Sequence, residues 1–217
     1  MVLSMSTILQ INPKAISPGF VDAQFWDRLR DMDPEEVCRR ACASYDRARR
    51  GYALRILNAD YLVLPAGRLI ERLGPPPADG KPPGFYLYFI AVHYLLNAQE
   101  RPPVGDMVTP KELRDGELFF SGGSHTPNLT PLVQRFDGQR EALWKAAEAT
   151  GGRQVDYGDA AVEVPALPRV PVTLVLWFGD EEFAGRASVL FDRGVEHHLP
   201  IEGLLPVISE TVKGLTP

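Results

Sequence analysis

Ala160-Ala161-Val162-Glu163-Val164, Val170-Pro171-Val172-Thr173-Leu174-Val175-Leu176-Trp177-Phe178 and Ala187-Ser188-Val189-Leu190-Phe191 follow one another in the last third of the chain. All three runs are rich in β-formers, and proline or acidic turn residues separate them, as expected of consecutive strands. Helical blocks lie on both sides of them without regular strand–helix–strand alternation. The expected class is therefore α+β, a largely antiparallel sheet packed with helices in a single domain over 1–217.

Working outward, Phe85 to Gln99 is apolar nearly all round and is predicted as a buried helix. With the strands over 170–178 and 187–191 it should form the core. Asp33-Pro34-Glu35-Glu36 starts a helix running to about Ser44: a capping carboxylate, proline at the first position, and acids facing the helix dipole. Val21 to Met32 has helical spacing. Gly51 to Leu57 and Asp60 to Leu64 read as a hairpin joined by Asn58-Ala59. Met107 to Phe120 is expected to be extended or a hairpin, Thr130-Pro131 to open a short helix, and Gly138 to Thr150 to form a longer one ended by Gly151-Gly152. Pro206 shapes a final amphipathic helix. The Pro/Gly-rich stretch 74–84 should be a stiff surface loop, because the segment before it is too poor in apolar residues to fold alone. Residues 1–16 are expected to be a poorly ordered tail.

With 45% hydrophobic and 24% charged residues in 217, the composition is that of an ordinary globular chain. The net charge of −5, from 23 Lys and Arg against 28 Asp and Glu, argues against a nucleic-acid partner. Arg39, Arg40, Arg47, Arg49 and Arg50 follow Asp33, Glu35 and Glu36, which suits a solvated helix and turn. Ser4, Ser6, Gln10 and Asn12 interrupt the N-terminal apolar patches, so no secretory signal is read and a cytoplasmic setting is expected. The longest apolar stretch, Phe85 to Leu96, is broken by His93 and falls short of the roughly 20 residues a bilayer requires, so no membrane insertion is expected. Cys38 and Cys42 lie four apart on a predicted helix, which disfavours a disulfide between them; a buried, reduced pair is the plainer expectation.

Leu167-Pro168-Arg169-Val170-Pro171, Leu176-Trp177-Phe178-Gly179-Asp180-Glu181-Glu182-Phe183, Leu190-Phe191-Asp192 and Leu199-Pro200-Ile201-Glu202 form an ordered set. It resembles a domain family of unknown function from anaerobic bacteria and archaea, and the similarity extends upstream through His93-Tyr94-Leu95-Leu96-Asn97 and the 116–136 region. Some members add a four-cysteine module that binds a [4Fe–4S] cluster. With two cysteines this chain cannot hold an all-cysteine cluster as a monomer. The resemblance implies an anaerobic redox or one-carbon context, and it carries over no catalytic residue.

Three groups of residues invite chemistry. Asp180, Glu182, Asp192, His197 and Glu202, with Glu196 and His198, could hold a divalent metal if they converge; the plainer reading is turn and helix caps. Consecutive His197 and His198 would face opposite sides of an extended chain. His93, beside Tyr94 on the buried helix, is either a satisfied core histidine or an axial ligand to a tetrapyrrole held against an apolar wall. Ser121-Gly122-Gly123-Ser124-His125-Thr126-Pro127 is either a turn before a helix or an anion cradle, with His125 a possible cofactor contact or base to Ser121 or Ser124. No nucleophile elbow, phosphate loop or dinucleotide fingerprint occurs. The expected function is thus a cytoplasmic accessory or binding protein of anaerobic redox or one-carbon metabolism, handling a cofactor or docking on a protein partner. The alternatives are a metal-dependent hydrolase using the second-half acids and histidines, and an interaction-only scaffold.

Overall fold

Asp22 and Asp33 each turn an extended segment into a helix. In α1 (Ala23–Asp31) the Asp22 carboxylate accepts from the Gln24 N–H, and in α2 (Pro34–Ala41) that of Asp33 accepts from the Glu35 N–H. Each cap satisfies an N-terminal donor that the helix leaves open. α2 stops short of Ser44 because Cys42 adopts the left-handed conformation (φ 50°) and returns its N–H to the Cys38 carbonyl. That reversal also corrects the cysteine expectation: Cys38 is half-buried and Cys42 exposed, so they are not a buried pair. The computed structural model describes residues 21–76, 80–121 and 123–217. The expectation for residues 1–16, and that for 77–79 of the Pro/Gly-rich loop, lie outside these residues.

β1 (Ser44–Asp46), β2 (Gly51–Ile56), β3 (Ala59–Leu64) and β4 (Leu69–Leu73) form an antiparallel sheet in that order. The hairpin expected here pairs Ile56 with Ala59, and Leu57 carries the positive φ of the turn. α3 (Phe85–Asn97) is buried from Leu87 through Leu96. As expected it shares one hydrophobic cluster with the strands near 170–176 and 189–191, and its closest neighbours are α1, α2 and the terminal helix α7 (Ile201–Leu215). α7 packs there because its own buried residues, Leu204, Leu205, Val207 and Ile208 among them, give it a face toward α3 while it also meets the second sheet.

The second sheet has the order β5 (Met107–Val108), β9 (Arg186–Asp192), β8 (Val170–Trp177), β7 (Ala160–Leu167), β6 (Arg153–Val155), all antiparallel. β8 is central, and both its faces are buried, Leu174 on one and Val175 on the other. The expected extended region over 107–120 is corrected. Only two residues pair as β5, after which come a 3-10 turn (Pro110–Glu112) and α4 (Gly116–Phe120). The cause is local: Glu112 accepts from the Thr109 N–H (2.8 Å) and hydroxyl (2.7 Å), and proline occupies the first turn position. α5 (Thr130–Phe136) and α6 (Arg140–Ala149) match the two predicted helices. The Leu57 N–H donates to the Ala166 carbonyl at 2.8 Å and joins the sheets, and one hydrophobic cluster contains residues of both. The fold is therefore a single α+β domain.

Candidate functional site

The early end of β5 leaves the edge of β9 uncovered. Val108 pairs with Phe191, and the Arg193 N–H reaches the Asp106 carbonyl at 2.8 Å, so the odd-numbered residues of β9 direct their backbone groups toward β5. Strand groups alternate sides, so Ala187 and Val189 point the same way, while Arg186, Ser188 and Leu190 point to β8. β5 has already left the sheet at Thr109. The N–H and C=O of Ala187 and Val189 thus face a groove of about 410 Å³ with no hydrogen-bond partner among the described residues. Phe120, Leu129 and Pro110 give the groove an apolar lining, and Lys111 and Ser188 add polar groups to it.

The candidate metal ligands are spread along and beyond the same strand. Asp180 belongs to the β8–β9 turn, where its Oδ1 accepts from the N–H groups of Glu182 (2.9 Å) and Phe183 (2.8 Å), and these bonds hold its carboxyl below the usual range. Glu182 is exposed on that turn. Asp192 lies at the far end of β9, about 20 Å of strand away. Its oxygens accept from the N–H groups of Val104 (2.9 Å), Gly105 (2.6 Å) and Gly194 (2.7 Å). Burial pushes its carboxyl up, but these donors outweigh that and lower it. Glu202 and Glu196 line a separate cavity of about 230 Å³ with Arg114 and Asp115, where Glu196 accepts from the Arg114 N–H at 2.5 Å. His197 is half-buried. His198 is buried and its Nδ1 accepts from the Gln99 N–H at 3.4 Å. Among the described residues no three His, Cys, Asp or Glu side chains are grouped to hold a metal ion.

The histidines named for a cofactor also part company. His93 is enclosed in the core, its ring stacked on Phe89 at 4.1 Å and tilted against Phe25 at 4.6 Å. Burial lowers its pKa to about 4. The Tyr94 hydroxyl is spent on the Ala41 carbonyl at 3.0 Å. His125 stacks flat on Phe119, 4.4 Å between centroids, with Nδ1 3.1 Å from the Phe119 carbonyl. A carbonyl can only accept, so Nδ1 carries the proton and Nε2 is left a lone-pair acceptor, buried and without a partner. Ser121 donates to the Glu117 carbonyl, so neither it nor Nδ1 of His125 is spent on the other.

Sequence reasoning named none of the residues at the open strand edge for function. The run Ala187 to Phe191 is legible as a strand, and Thr109-Pro110 is a legible stop two residues into its partner. That the two meet is a long-range pairing, which local pattern does not encode.

An α+β domain with two helix-covered antiparallel sheets, one of them open along a groove, is the class these features define. The chain belongs to the family of a domain of unknown function (DUF3786), whose model matches residues 33–213, more than four-fifths of its length. No curated protein sequence and no solved structure matches it. Among the described residues no helix is long and apolar enough to cross a membrane.

Proposed function

We propose that the protein is an accessory binding protein that docks an extended segment of a partner protein on the β9 edge, and that it is not a free-standing catalyst. The carrying observation is the unspent backbone of Ala187 and Val189 along the groove. An added strand would gain main-chain hydrogen bonds there, while its inward side chains find Phe120 and Leu129. The commitment of Asp180, Asp192 and Glu196 to backbone N–H groups supports a binding role over the metal-dependent hydrolase. A cytoplasmic redox or one-carbon protein of anaerobic metabolism is the partner that the family resemblance suggests.

The test is anaerobic co-purification from the native host with wild type and Ala187→Pro in parallel, read by mass spectrometry. The expected result is a near-stoichiometric protein partner that Ala187→Pro loses. The same partner on both baits, or none on either together with turnover in a broad hydrolase screen, overturns the reading. Cofactor contact is a second reading, carried by the buried, unpartnered Nε2 of His125. On it, a haem or corrinoid band should shift in His125→Ala and not in His93→Ala.

A further inference from the structure

We infer that the partner segment docked on β9 is a C-terminal tail, aligned parallel to β9 with its free carboxylate at Lys111. This rests on the docking edge proposed above and names the partner chemistry that the edge selects.

The path beside β9 is closed at one end. Val108 occupies it opposite Phe191, and Thr109-Pro110-Lys111 turns away immediately beyond and borders the groove. Toward Ala187 no other strand lies on that side of β9 among the described residues. The open stretch, Ala187 to Leu190, spans only about 10 Å of strand. A chain that continued past it would have to bend out of the groove at Pro110, whereas a chain that ends there needs no turn.

Charge at the closed end decides which terminus fits. Of the residues that line the groove Lys111 alone is charged; it is exposed, and no acidic side chain pairs with it among the described residues. The carboxylate of adjacent Glu112 accepts from the Thr109 N–H and hydroxyl instead. Lys111 repels an ammonium group at this end and attracts a carboxylate. A tail with its carboxylate at the closed end runs parallel to β9. In a parallel ladder the tail residue level with Ser188 gives its N–H to the Ala187 carbonyl, and its own carbonyl side receives the Val189 N–H. When that residue is the last, the Val189 N–H donates to the terminal carboxylate, a charge-assisted bond. The carbonyl two residues earlier accepts from the Ala187 N–H. Backbone donor and cation thus converge on one anionic group, as in the capture of chain termini elsewhere.

The probe is a fluorescein-labelled hexapeptide of alternating threonine and valine ending in valine, made as the free acid and as the C-terminal amide. Fluorescence anisotropy with the full chain should show the acid bound about two- to fivefold more tightly, the range of one exposed ion pair. Lys111→Met should bring the acid to the level of the amide and leave the amide unchanged, and Ala187→Pro should weaken both. A nitroxide at the peptide N-terminus should broaden the Gly185 amide signal more than that of Thr109. Equal affinity of acid and amide, an acid preference that survives Lys111→Met, or the opposite order of broadening overturns the inference. So does an amide ending in glutamate that binds as tightly as the acid, which would assign Lys111 to an acidic side chain of an internal segment. If acid and amide bind alike and both are weakened by Ala187→Pro, the docking edge stands without the terminal carboxylate. If neither binds at millimolar concentration the inference falls, and a partner lost from Ala187→Pro in the co-purification still keeps the edge. Acid-selective binding that depends on Lys111 but not on Ala187 overturns the edge and the inference together.

Discussion

His93 lies between the rings of Phe25 and Phe89 on a helix with ten consecutive buried residues, whereas Ala187 and Val189 hold two donors and two acceptors open to a groove. Both regions carry polar groups in apolar surroundings. At His93 the cost is met by giving up the charge, and at β9 by leaving the backbone groups where water or another strand can reach them. The interior histidine belongs to stability, and the strand edge is where binding can still be gained.

The widest separation between interior and edge should appear across one register pair. Val175 on β8 stands opposite Ser188 on β9, so their side chains share a face of the sheet. Val175 is 1% exposed, while Ser188 is half-buried and lines the groove. Val175→Asp puts an unpaired charge in the interior and should cost several kcal/mol. That corresponds to a fall in melting temperature of about 10 °C or more at this chain length. Ser188→Asp, with water at hand, should cost a small fraction of that. Equal melting temperatures for the two variants would mean that the sheet is open, or closed, at both positions.

A smaller effect follows from His93 itself. Its pKa is held down to about 4, against about 6.5 in an unfolded chain. Between those values the unfolded chain takes up a proton that the folded chain refuses. The contribution is therefore complete above about pH 6.5 and is lost as the pH falls toward 4, on the order of 2–3 kcal/mol. His198 acts in the same direction: burial, then Arg169, lowers it to about 4 as well. His93→Phe keeps an aromatic ring between Phe25 and Phe89 and removes the titration. Urea unfolding at pH 7 and pH 4.5 should show a smaller acid loss in the variant than in wild type. An unchanged loss would mean that water reaches the ring.

How far these regions could be read from sequence follows the same division. α3 and β8 are legible because runs of apolar residues leave no polar face to misplace, and α2 because Asp33-Pro34-Glu35-Glu36 encodes its own start. β1, β4 and β6 were not legible: three to five residues, often charged, become strands only because a neighbour is there to pair with. The core that α3 shares with β8 and β9 is legible, but its direct packing on α7 is not, since nothing local encodes that contact. Whether the acid and histidine residues converge is likewise not local: it depends on β9, which separates Asp180 in the turn before it from Asp192 at its far end.

Asp192→Asn measures what the second-half acids do. Oδ1 serves Val104 and Gly194 and Oδ2 serves Gly105, so an amide must present its NH2 to one of these donors. The expected cost is about 1–2 kcal/mol in urea unfolding. Metal analysis after oxygen-free purification should find the same low zinc, manganese and iron content in wild type and variant. Near-stoichiometric metal that disappears in Asp192→Asn or His197→Ala would reassign the cluster to metal binding.

The smallest effect on stability should come from the substitution aimed at the edge. Proline removes one N–H, and its cost depends on where that N–H was pointing. At Ser188 the N–H points to β8, opposite Val175, so Ser188→Pro breaks a ladder bond inside the sheet and should cost about 3 kcal/mol or more. One residue earlier the N–H of Ala187 faces the groove, has no partner among the described residues, and sits on the strand edge where proline is tolerated. Ala187→Pro should therefore shift unfolding by less than about 1 kcal/mol. Because it fills the donor position that an added strand would use, it should nevertheless abolish docking on β9. A large loss of stability in Ala187→Pro would show that the edge is already paired within the fold. A small loss with docking intact would place the docking surface elsewhere, and only a small loss with docking abolished keeps the contrast between a closed interior and an open edge.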